Sequence, residues 1–331
     1  MQDHDVVGIG NAIVDIIGRC DDDFLTRHGR TKGSMQLVDA ATVIELYDAM
    51  GPAIEISGGS VANTMVGIAS FGGKAGFIGK TADDQFGQVF RHDIRSAGVT
   101  FNTPPATGDA EPTGRSLILV TPDGQRTMNT SLGVSPRLGG GEVDAELISS
   151  ARILYLEGYL FDRPEAKAAF RQAADIAAKA GRQVALSLSD PFCVDRHRPE
   201  FLKLVKESVD ILFANEAEVM SLYETPLFDV AARQAQTDTK LAALTRSEKG
   251  SVILSDGKSI AIPAAPVTQV VDTTGAGDLF AAGFLFGVAT GKDLETSGKL
   301  GSLAAAEIIS HIGARPEVGL AELARQRGLL G

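Results

Sequence analysis

The sequence of 331 residues has only two cysteines, no tryptophan, and five histidines without metal-binding spacing. Cys20 and Cys193 cannot form a disulfide framework and do not make a CxxC pair, so a reducing cytoplasm is the simple expectation. No basic flank precedes an apolar run at the start, and no apolar run reaches membrane-spanning length, so neither a signal peptide nor a membrane helix is expected. No HExxH motif or plausible serine or cysteine triad supports hydrolase chemistry.

Basic residues are outnumbered, and the formal net charge of −11 argues against nucleic acid or an anionic membrane as the main partner. Any phosphate ligand must therefore be held locally, by backbone amides, single cations or a metal ion. A hydrophobic content of 44% with 22% charged residues is typical of an ordinary globular protein. The length predicts one large domain, alone or with a small appendage.

A glycine-rich turn, VDTTGAGD at 271–278, precedes a run that is apolar almost all round and predicts a buried helix. Gly275, Ala276 and Gly277 then stand at the helix start, where small side chains let unpaired amides approach a ligand. The helix dipole favours an anion there, phosphate above all. Asp278 is placed to accept the proton of a neighbouring hydroxyl, which is the minimal apparatus for phosphoryl transfer. The alternative is a common glycine turn with an acidic capping residue.

From residue 151 onward, strand and helix patterns alternate. Strands are predicted at 153–156, 183–188, 211–214, 241–245, 251–255 and 259–262, and helices at 164–180, 199–207 and 216–222. Repeated βα units predict a parallel sheet with helices on both faces, and ligands then bind at the carboxyl ends of the strands. Residues 264–271, just before the glycine turn, are expected to form a strand end or a loop in the core.

Two alternating runs at 113–121 and 126–131 flank a Pro-Asp-Gly-Gln turn, which predicts a β-hairpin. Their alternation predicts a sheet with one solvent-exposed face. Together with a strand near 33–38, the hairpin is expected to form a small separate sheet. The alternative is a pair of edge strands on the main sheet.

The first strand is predicted at 6–10, and residues 11–17 are expected to continue it. Gly8 and Gly10 suggest a dinucleotide fingerprint, but Ile13 stands at the third glycine position and no helix pattern follows. A nicotinamide-dependent enzyme is therefore a rejected alternative.

Three other groups of residues are candidates for binding Mg²⁺ or a phosphate. Asn215 and Glu218 follow a strand and are spaced to orient water around Mg²⁺, or alternatively to form a capping box. Residues 245–250 also follow a strand, and Arg246 could supply charge to a nucleotide phosphate; the alternative is a polar loop. Arg126, in the hairpin, is a candidate for reaching the transferred phosphate, with an ordinary surface arginine as the alternative.

The string DTTGAGD with its apolar helix resembles the signature of the ribokinase-like (phosphofructokinase-B) family of sugar and nucleoside kinases. The resemblance covers nearly the whole chain, with the motifs in the family's order. It implies a three-layer α/β/α core with a mainly parallel central sheet, plus a small β-sheet lid. The implied large domain comprises residues 1–18, 58–110 and 134–331, and the implied lid comprises 19–57 and 111–133.

By this resemblance, Asp278 is the catalytic base, and the amides of residues 275–277 bind the γ-phosphate of ATP. The positions that match the acceptor's hydroxyl-binding residues are Asp15, Gly59 and Asn63, with Asn11 nearby. The positions that match the donor side are Asn215 and Glu218, which organise Mg²⁺, and Thr245 and Gly250 of the ATP loop. The positions that match a monovalent cation site, with K⁺ as the candidate ion, are Asp272, Thr274 and Gly313. Ser247 and Glu317 depart from the family pattern.

The implied acceptor is adenosine, phosphorylated on its 5′-hydroxyl. Ile13 is available to face a purine, while Met35, Gln36 and Leu37 are expected on its other side, and Arg126 matches an arginine of adenosine kinases. Ribose, fructose, inosine and guanosine are the alternative acceptors. A non-catalytic nucleoside or nucleotide sensor is the alternative outside enzymes. The oligomeric state is left open between monomer and homodimer.

Overall fold

The structure is a computed structural model that describes residues 3–108 and 111–331. The strands are β1 (His4–Ile9), β2 (Ile13–Arg19), β3 (Met35–Leu37), β4 (Ala53–Gly58), β5 (Ala75–Ile78), β6 (Thr100–Phe101), β7 (Gly114–Val120), β8 (Arg126–Ser131), β9 (Ala151–Glu157), β10 (Gln183–Ser187), β11 (Ile211–Asn215), β12 (Leu241–Thr245), β13 (Ser251–Ser255) and β14 (Lys258–Ile262). The helices are α1 (Asp22–Arg27), α2 (Ala40–Ala49), α3 (Ser60–Ser70), α4 (Gln85–Ser96), α5 (Ala145–Ser150), α6 (Pro164–Lys179), α7 (Pro191–Ser208), α8 (Glu216–Leu222), α9 (Phe228–Asp238), α10 (Ala276–Ala289), α11 (Leu294–Ile308) and α12 (Leu320–Gln326).

The larger sheet has nine strands in the order β14-β13-β12-β11-β10-β9-β1-β5-β6. The strands from β12 to β6 are mutually parallel, and the β13–β14 hairpin adds two antiparallel strands at one edge. Successive side chains point to opposite faces, so Val6 packs with α3, α10 and α11 while Val7 packs with α6 and α7. These two apolar cores confirm the predicted three-layer α/β/α architecture.

The smaller sheet has five strands in the order β3-β8-β7-β2-β4, which confirms a separate sheet rather than extra edge strands. The predicted hairpin is β7–β8, with antiparallel pairing across a turn in which Gly124 has a φ of +81°. The prediction of one solvent-exposed face is wrong for β7, because every residue of this strand is buried. Helices α2 and α4 pack on one face of the smaller sheet, and its other face lines a cleft shared with the large sheet.

The prediction that β1 continues into β2 is wrong. A Cβ at Gly10 would lie 2.3 Å from Oε2 of Glu157, so only glycine fits at the point where the chain leaves the large sheet. The amide of Ala12 donates to Oγ of Ser135 at 2.8 Å instead of to a strand partner. Residues 13–18, which the sequence places in the large domain, are therefore hydrogen-bonded in the smaller sheet, between β7 and β4.

Residues 264–271 do not form a strand and do not lie in the core. Val270 and Val271 are 53% and 38% exposed, although valine favours buried strands. Pro263 and Pro266 remove two of the amides that a sheet would need, which explains why the apolar run does not pair. The run instead leads along the surface to the start of α10.

Helix α7 begins eight positions earlier than predicted, at Pro191 rather than Pro199. Asp190 caps it by accepting a hydrogen bond from the amide of Cys193 at 2.6 Å, and proline is favoured in the first turn. The backbone bends at His197, where φ is −128°, just before the internal proline. Among the described residues, every helix is too short or too polar to span a lipid bilayer.

Candidate active site

A cleft of about 630 Å³ lies between the carboxyl ends of the large sheet's strands and the smaller sheet. The predicted site residues that line it are Asn11, Ile13, Asp15, Gly59, Asn63, Asn215, Glu218, Thr245, Thr274, Gly275, Ala276, Gly277 and Asp278. The predicted residues that the structure describes outside its lining are Gln36, Arg126, Arg246, Gly250, Asp272 and Gly313. Motifs that lie as far apart in sequence as Asn11 and Asp278 thus meet at one edge of the sheet, as parallel topology requires.

The turn before α10 presents free amides to this cleft. Gly275 has a left-handed φ of +79°, and a Cβ there would lie 3.0 Å from Cβ of Ala314, so the position requires glycine. The amide of Ala276 donates to the carbonyl of Thr273 at 3.2 Å and is therefore already paired. In the described part of the chain, the amides of Gly275 and Gly277 have no acceptor. The helix dipole makes these two amides the preferred contacts for an anion.

Asp278, in the first turn of α10, is held by two donors from α3. Oγ of Ser60 donates to Oδ1 at 2.6 Å, and Nδ2 of Asn63 donates to Oδ2 at 2.9 Å. Burial raises the pKa of Asp278, and these hydrogen bonds together with the charge of Arg315 oppose that rise. A carboxylate with a raised pKa, fixed in orientation and lining a cleft, can act as a general base.

Asn11, Asp15 and Gly59 form the polar end of the cleft. Burial raises the pKa of Asp15 to about 7, and the charges of Arg315 and Arg126 oppose the rise. Gly59 has a φ of +100°, and a Cβ there would lie 2.1 Å from the carbonyl oxygen of Asn11. The backbone of Gly59 therefore packs directly on Asn11, and this close approach fixes the start of α3.

Glu157 is a buried carboxylate of this site that the sequence analysis missed. It ends β9, is 1% exposed, and accepts hydrogen bonds from Nδ2 of Asn11 at 2.6 Å and from the amide of Val61 at 3.0 Å. Burial raises the pKa of Glu157 to about 7, and those hydrogen bonds oppose the rise. Its signal was a polar residue at the end of an apolar strand, the same signal that identified Asn215.

The other end of the cleft is apolar. Ile13, Met35 and Leu37 line it from the smaller sheet, and Phe192 lines it from the start of α7. Gln36 lies between two lining residues on β3, so its side chain points to the opposite face of the sheet. This geometry does not support the predicted role of Gln36 in substrate binding.

Asn215 and Glu218 form the capping box, and their role at Mg²⁺ stays a prediction. Asn215 caps α8 by accepting the amide of Glu218 at 2.9 Å, and Oε2 of Glu218 accepts the amide of Asn215 at 2.9 Å, which is a capping box. Both side chains also line the cleft. Burial raises the pKa of Glu218 to about 7, so the carboxylate lacks a compensating cation. A buried carboxylate beside an amide oxygen fits a hydrated Mg²⁺ ion.

Arg246 points away from the cleft, contrary to its predicted contact with a phosphate. Its Nη2 pairs with Oε1 of Glu216 at 2.9 Å, and its guanidinium lies 3.9 Å from the ring centroid of Phe228. The ion pair and the cation–π contact hold the side chain against α8 and α9.

Thr245 ends β12 and lines the cleft, whereas Gly250 shapes the loop behind it. Gly250 has a φ of +81°, and a Cβ there would lie 2.1 Å from the carbonyl oxygen of Ile262. Ser247, which departs from the pattern that the resemblance implies, has a φ of +52°, a conformation that glycine adopts at lower cost.

Asp272 forms a buried ion pair with Arg126. Nη1 of Arg126 lies 2.5 Å from Oδ2 of Asp272, and both side chains are buried. Asp272 also accepts the amides of Thr274 at 3.0 Å and of Gly313 at 3.3 Å. Arg126 therefore links the smaller sheet to the turn before α10, and its guanidinium is not directed at the cleft. The charge on Asp272 that a monovalent cation would neutralise is already neutralised, so these residues do not fit a K⁺ site.

A second cavity, of about 610 Å³, lies beside the turn before α10 and was not predicted from sequence. We call it the loop cavity; its lining includes residues 263–268, Leu303, Glu307, His311 and Leu329. It adjoins the turn because the amides of Val271 and Asp272 donate to the carbonyl of Ile309 at 2.8 and 3.3 Å. Residues 264–268 thus border a cavity instead of a core.

Comparison with known proteins agrees with this geometry. Residues 55–318 match the pfkB family of carbohydrate kinases. A solved adenosine kinase from Sinorhizobium meliloti is 53% identical, with a TM-score of 0.90 over 98% of this chain and 99% of that one. A solved probable sugar kinase from Rhizobium etli is 50% identical, with a TM-score of 0.92 over 100% of both chains. Adenosine kinase 2 from Arabidopsis thaliana is 26% identical, covering 93% of this chain and 94% of its own.

A base beside a phosphate-binding helix start, in a cleft between two sheets, is the arrangement that a kinase of small molecules needs. The family match covers most of the chain and includes the residues of that arrangement. The protein therefore belongs to the pfkB family of carbohydrate kinases, and it is a phosphotransferase that acts on a hydroxyl group of a nucleoside or a sugar.

Proposed function

We propose that the protein transfers the γ-phosphate of ATP to the 5′-hydroxyl of adenosine, giving AMP and ADP. The observation that carries the proposal is the composition of the cleft, which has a carboxylate end, an apolar end and a phosphate-binding turn in one volume of about 630 Å³. A ribose requires hydrogen-bond acceptors, a purine requires apolar surface, and the reacting hydroxyl must lie beside the phosphate.

The carboxylate end suits the ribose hydroxyls. Glu157 is buried and Asp15 is half-buried, and the loss of water contact raises the pKa of each to about 7. Hydroxyl donors from a bound sugar would supply the hydrogen bonds that these carboxylates lack. Asn11, hydrogen-bonded to Glu157, holds that carboxylate in place.

The apolar end supports a nucleoside over a free sugar. Met35, Leu37 and Phe192 are 53%, 65% and 74% exposed, which is unusual for large apolar side chains gathered at one cleft. A purine ring placed between them would remove this surface from water, and the aromatic ring of Phe192 suits stacking. A monosaccharide bound at the carboxylate end would leave these side chains exposed.

The chemical step follows from the position of Asp278. As the 5′-oxygen bonds to the γ-phosphorus, its proton passes to the carboxylate of Asp278, and the bond from the γ-phosphorus to the β,γ-bridging oxygen breaks to release ADP. The amides of Gly275 and Gly277 stabilise the negative charge on the transferred group. The smaller sheet, closing over the cleft, excludes the water that would otherwise compete as acceptor.

Asn215 and Glu218 would hold Mg²⁺ through water, and the bound ion supplies charge neutralisation at the phosphates. The loop cavity is the proposed site of the donor's base, because its lining includes residues 263–268 of the segment that leads to the turn before α10. Its apolar loop residues and its volume suit a purine ring.

The proposal is tested by measuring ADP formation with adenosine, inosine, guanosine, ribose and fructose in turn. Turnover with adenosine well above that with the other acceptors is the expected result. Preference for a free sugar would refute adenosine as the acceptor. ADP formation that does not depend on an acceptor, or no ADP formation at all, would refute the kinase step. The variant Leu37→Ser should raise KM for adenosine without lowering stability, because the side chain is already 65% exposed. Ile54→Ser is the matched control, since Ile54 is 67% exposed on an edge strand of the same sheet and lies outside the cleft lining.

A further inference from the structure

Residues 313–315 run beneath the phosphate-binding turn. The amide of Gly313 donates to Oδ2 of Asp272 at 3.3 Å. Ala314 packs so closely on Gly275 that a Cβ on that glycine would lie 3.0 Å from Cβ of Ala314. Any ligand that fixes the amide of Gly275 therefore also fixes the backbone of this segment.

The next residue, Arg315, extends from this segment to the end of β4 and the start of α3. Its Nε donates to the carbonyl oxygen of Ser57 at 3.0 Å, and Nη1 donates to that of Ala62 at 3.1 Å. Nη2 donates to Oγ of Ser57 at 2.8 Å and also contacts its carbonyl oxygen. One guanidinium thus holds the chain on both sides of the bend at Gly58 and Gly59.

That bend sets the acceptor end of the cleft. A Cβ at Gly58 would lie 2.4 Å from Oδ2 of Asp15, and Gly59 packs on Asn11 with a φ of +100°. A shift of either glycine would therefore move Asp15 or Asn11, both of which line the cleft. The bend belongs to β4–α3 and the phosphate-binding turn to the loop before α10; Ser60 and Asn63 also link α3 to Asp278, one residue after that turn.

We propose that Arg315 is a positioning residue that couples phosphate binding at the turn before α10 to acceptor binding at the Gly58–Gly59 bend. A phosphate on the amides of Gly275 and Gly277 fixes Ala314, and Arg315 then holds the bend in the form that an acceptor binds. Only the planar fork of an arginine reaches two carbonyl groups at once, so lysine cannot replace it in this role.

The electrostatics of the site agree with this geometry. The positive charge of Arg315 opposes the rise in pKa that burial imposes on Asp15 and on Asp278. The same guanidinium therefore lies within electrostatic reach of the acceptor-binding carboxylate and of the base. The charges that face it are these two carboxylates and Asp93, which accepts hydrogen bonds from Ser57.

The inference rests on the proposed function, in that the two coupled ligands are a nucleotide and a hydroxyl acceptor. The test measures the Kd of adenosine by calorimetry, with and without Mg²⁺ and β,γ-methylene-ATP. In the wild-type protein the nucleotide should strengthen adenosine binding about fivefold or more, a typical size for coupling between two sites. In Arg315→Lys and in Arg315→Met, this ratio should fall to about one.

Arg115→Met is the matched control. Arg115 is also a buried arginine of this region, but it lies over the ring of Phe86 and outside the cleft lining. The control should lower Tm while leaving the ratio unchanged, whereas a merely structural role of Arg315 would lower Tm without changing the ratio. Arg315→Lys keeps the charge, so it still tests the coupling if Arg315→Met fails to fold.

The outcomes separate the two proposals. A wild-type ratio of one, or a wild-type ratio retained in Arg315→Lys, overturns the coupling role of Arg315. Binding of ribose in place of adenosine overturns the proposed acceptor. The coupling role of Arg315 is then tested by the ratio of the Kd values of ribose without and with the nucleotide. Binding of neither class of acceptor overturns both.

Discussion

The hydroxyl of Ser60 should control the pH at which the enzyme loses activity in acid. It donates to Oδ1 of Asp278 at 2.6 Å, and a hydrogen bond to a charged group contributes about 1.5–3 kcal/mol. Because one pKa unit corresponds to about 1.36 kcal/mol, Ser60→Ala should raise the pKa of Asp278 by about one unit or more. The base would then be protonated at a higher pH than in the wild-type protein.

The assay is the pH profile of kcat at saturating acceptor and ATP. Activity needs the ionised carboxylate, so a raised pKa moves the acidic limb of the profile upward by about one pH unit. At a pH below both limbs, the variant should be about tenfold slower than the wild-type protein, whereas at pH 8 the two should differ much less. An acidic limb that stays in place would refute the role of Asp278 as the titrating base.

Thr64→Val is the matched control for this experiment. Oγ1 of Thr64 donates at 3.1 Å to the backbone carbonyls of Ser60 and Asp278 and does not contact the carboxylate. The control removes two hydrogen bonds from the same buried region, so it should lower Tm. Its acidic limb should coincide with that of the wild-type protein.

Gly275→Ala should lower turnover strongly and destabilise the fold by at least about 1 kcal/mol, because Gly275 has a left-handed φ and packs on Ala314. Normal kinetics and a normal Tm in this variant would contradict the requirement for glycine at this position. The Tm of Glu157→Gln, measured relative to the Tm of the wild-type protein, should rise as pH increases from 5 to 8. The pKa of Glu157 in the folded wild-type protein, about 7, lies above its ordinary value of 4.5. Protonated Glu157 therefore gives its full stabilisation below about pH 4.5, and the wild-type protein loses that stabilisation as pH rises through 7. A pH-independent difference would contradict that shift. Glu218→Gln should raise the Mg²⁺ concentration required for half-maximal activity, and an unchanged requirement would remove Glu218 from the metal site.

Local patterns in the sequence were sufficient for the fold class and for the glycine turn at the start of α10. The period of two separates Val6 from Val7 into the two cores, and the glycines before α10 mark a left-handed residue at a helix start. Each of these features depends on neighbours in the chain, so it can be read without knowledge of tertiary contacts.

Features set by distant residues could not be predicted in this way. The end of β1 depends on Glu157 and Ser135, which contact Gly10 and Ala12 only in the folded chain. Arg126 was placed at the phosphate, but its buried partner is Asp272, a pairing across 146 positions that no local pattern encodes.

Gln36 illustrates a smaller error. The expectation named Met35, Gln36 and Leu37, and of these three residues Met35 and Leu37 line the cleft while Gln36 does not. A shift of one position along a strand exchanges its two faces, and the pattern around residue 36 does not reveal which face meets the ligand.

The most direct test of the central claim is the turnover of Asp278→Asn. The replacement is nearly isosteric, and the buried Oδ1 of Asn63, which has no hydrogen-bond partner among the described residues, can accept from the new amide if the side-chain amide of Asn63 flips. The fold and the acceptor Kd should therefore persist, while kcat should fall about 100-fold or more because the acceptor hydroxyl loses its base. Turnover close to that of the wild-type protein, with adenosine bound equally well, would contradict the claim that Asp278 receives the proton during phosphoryl transfer.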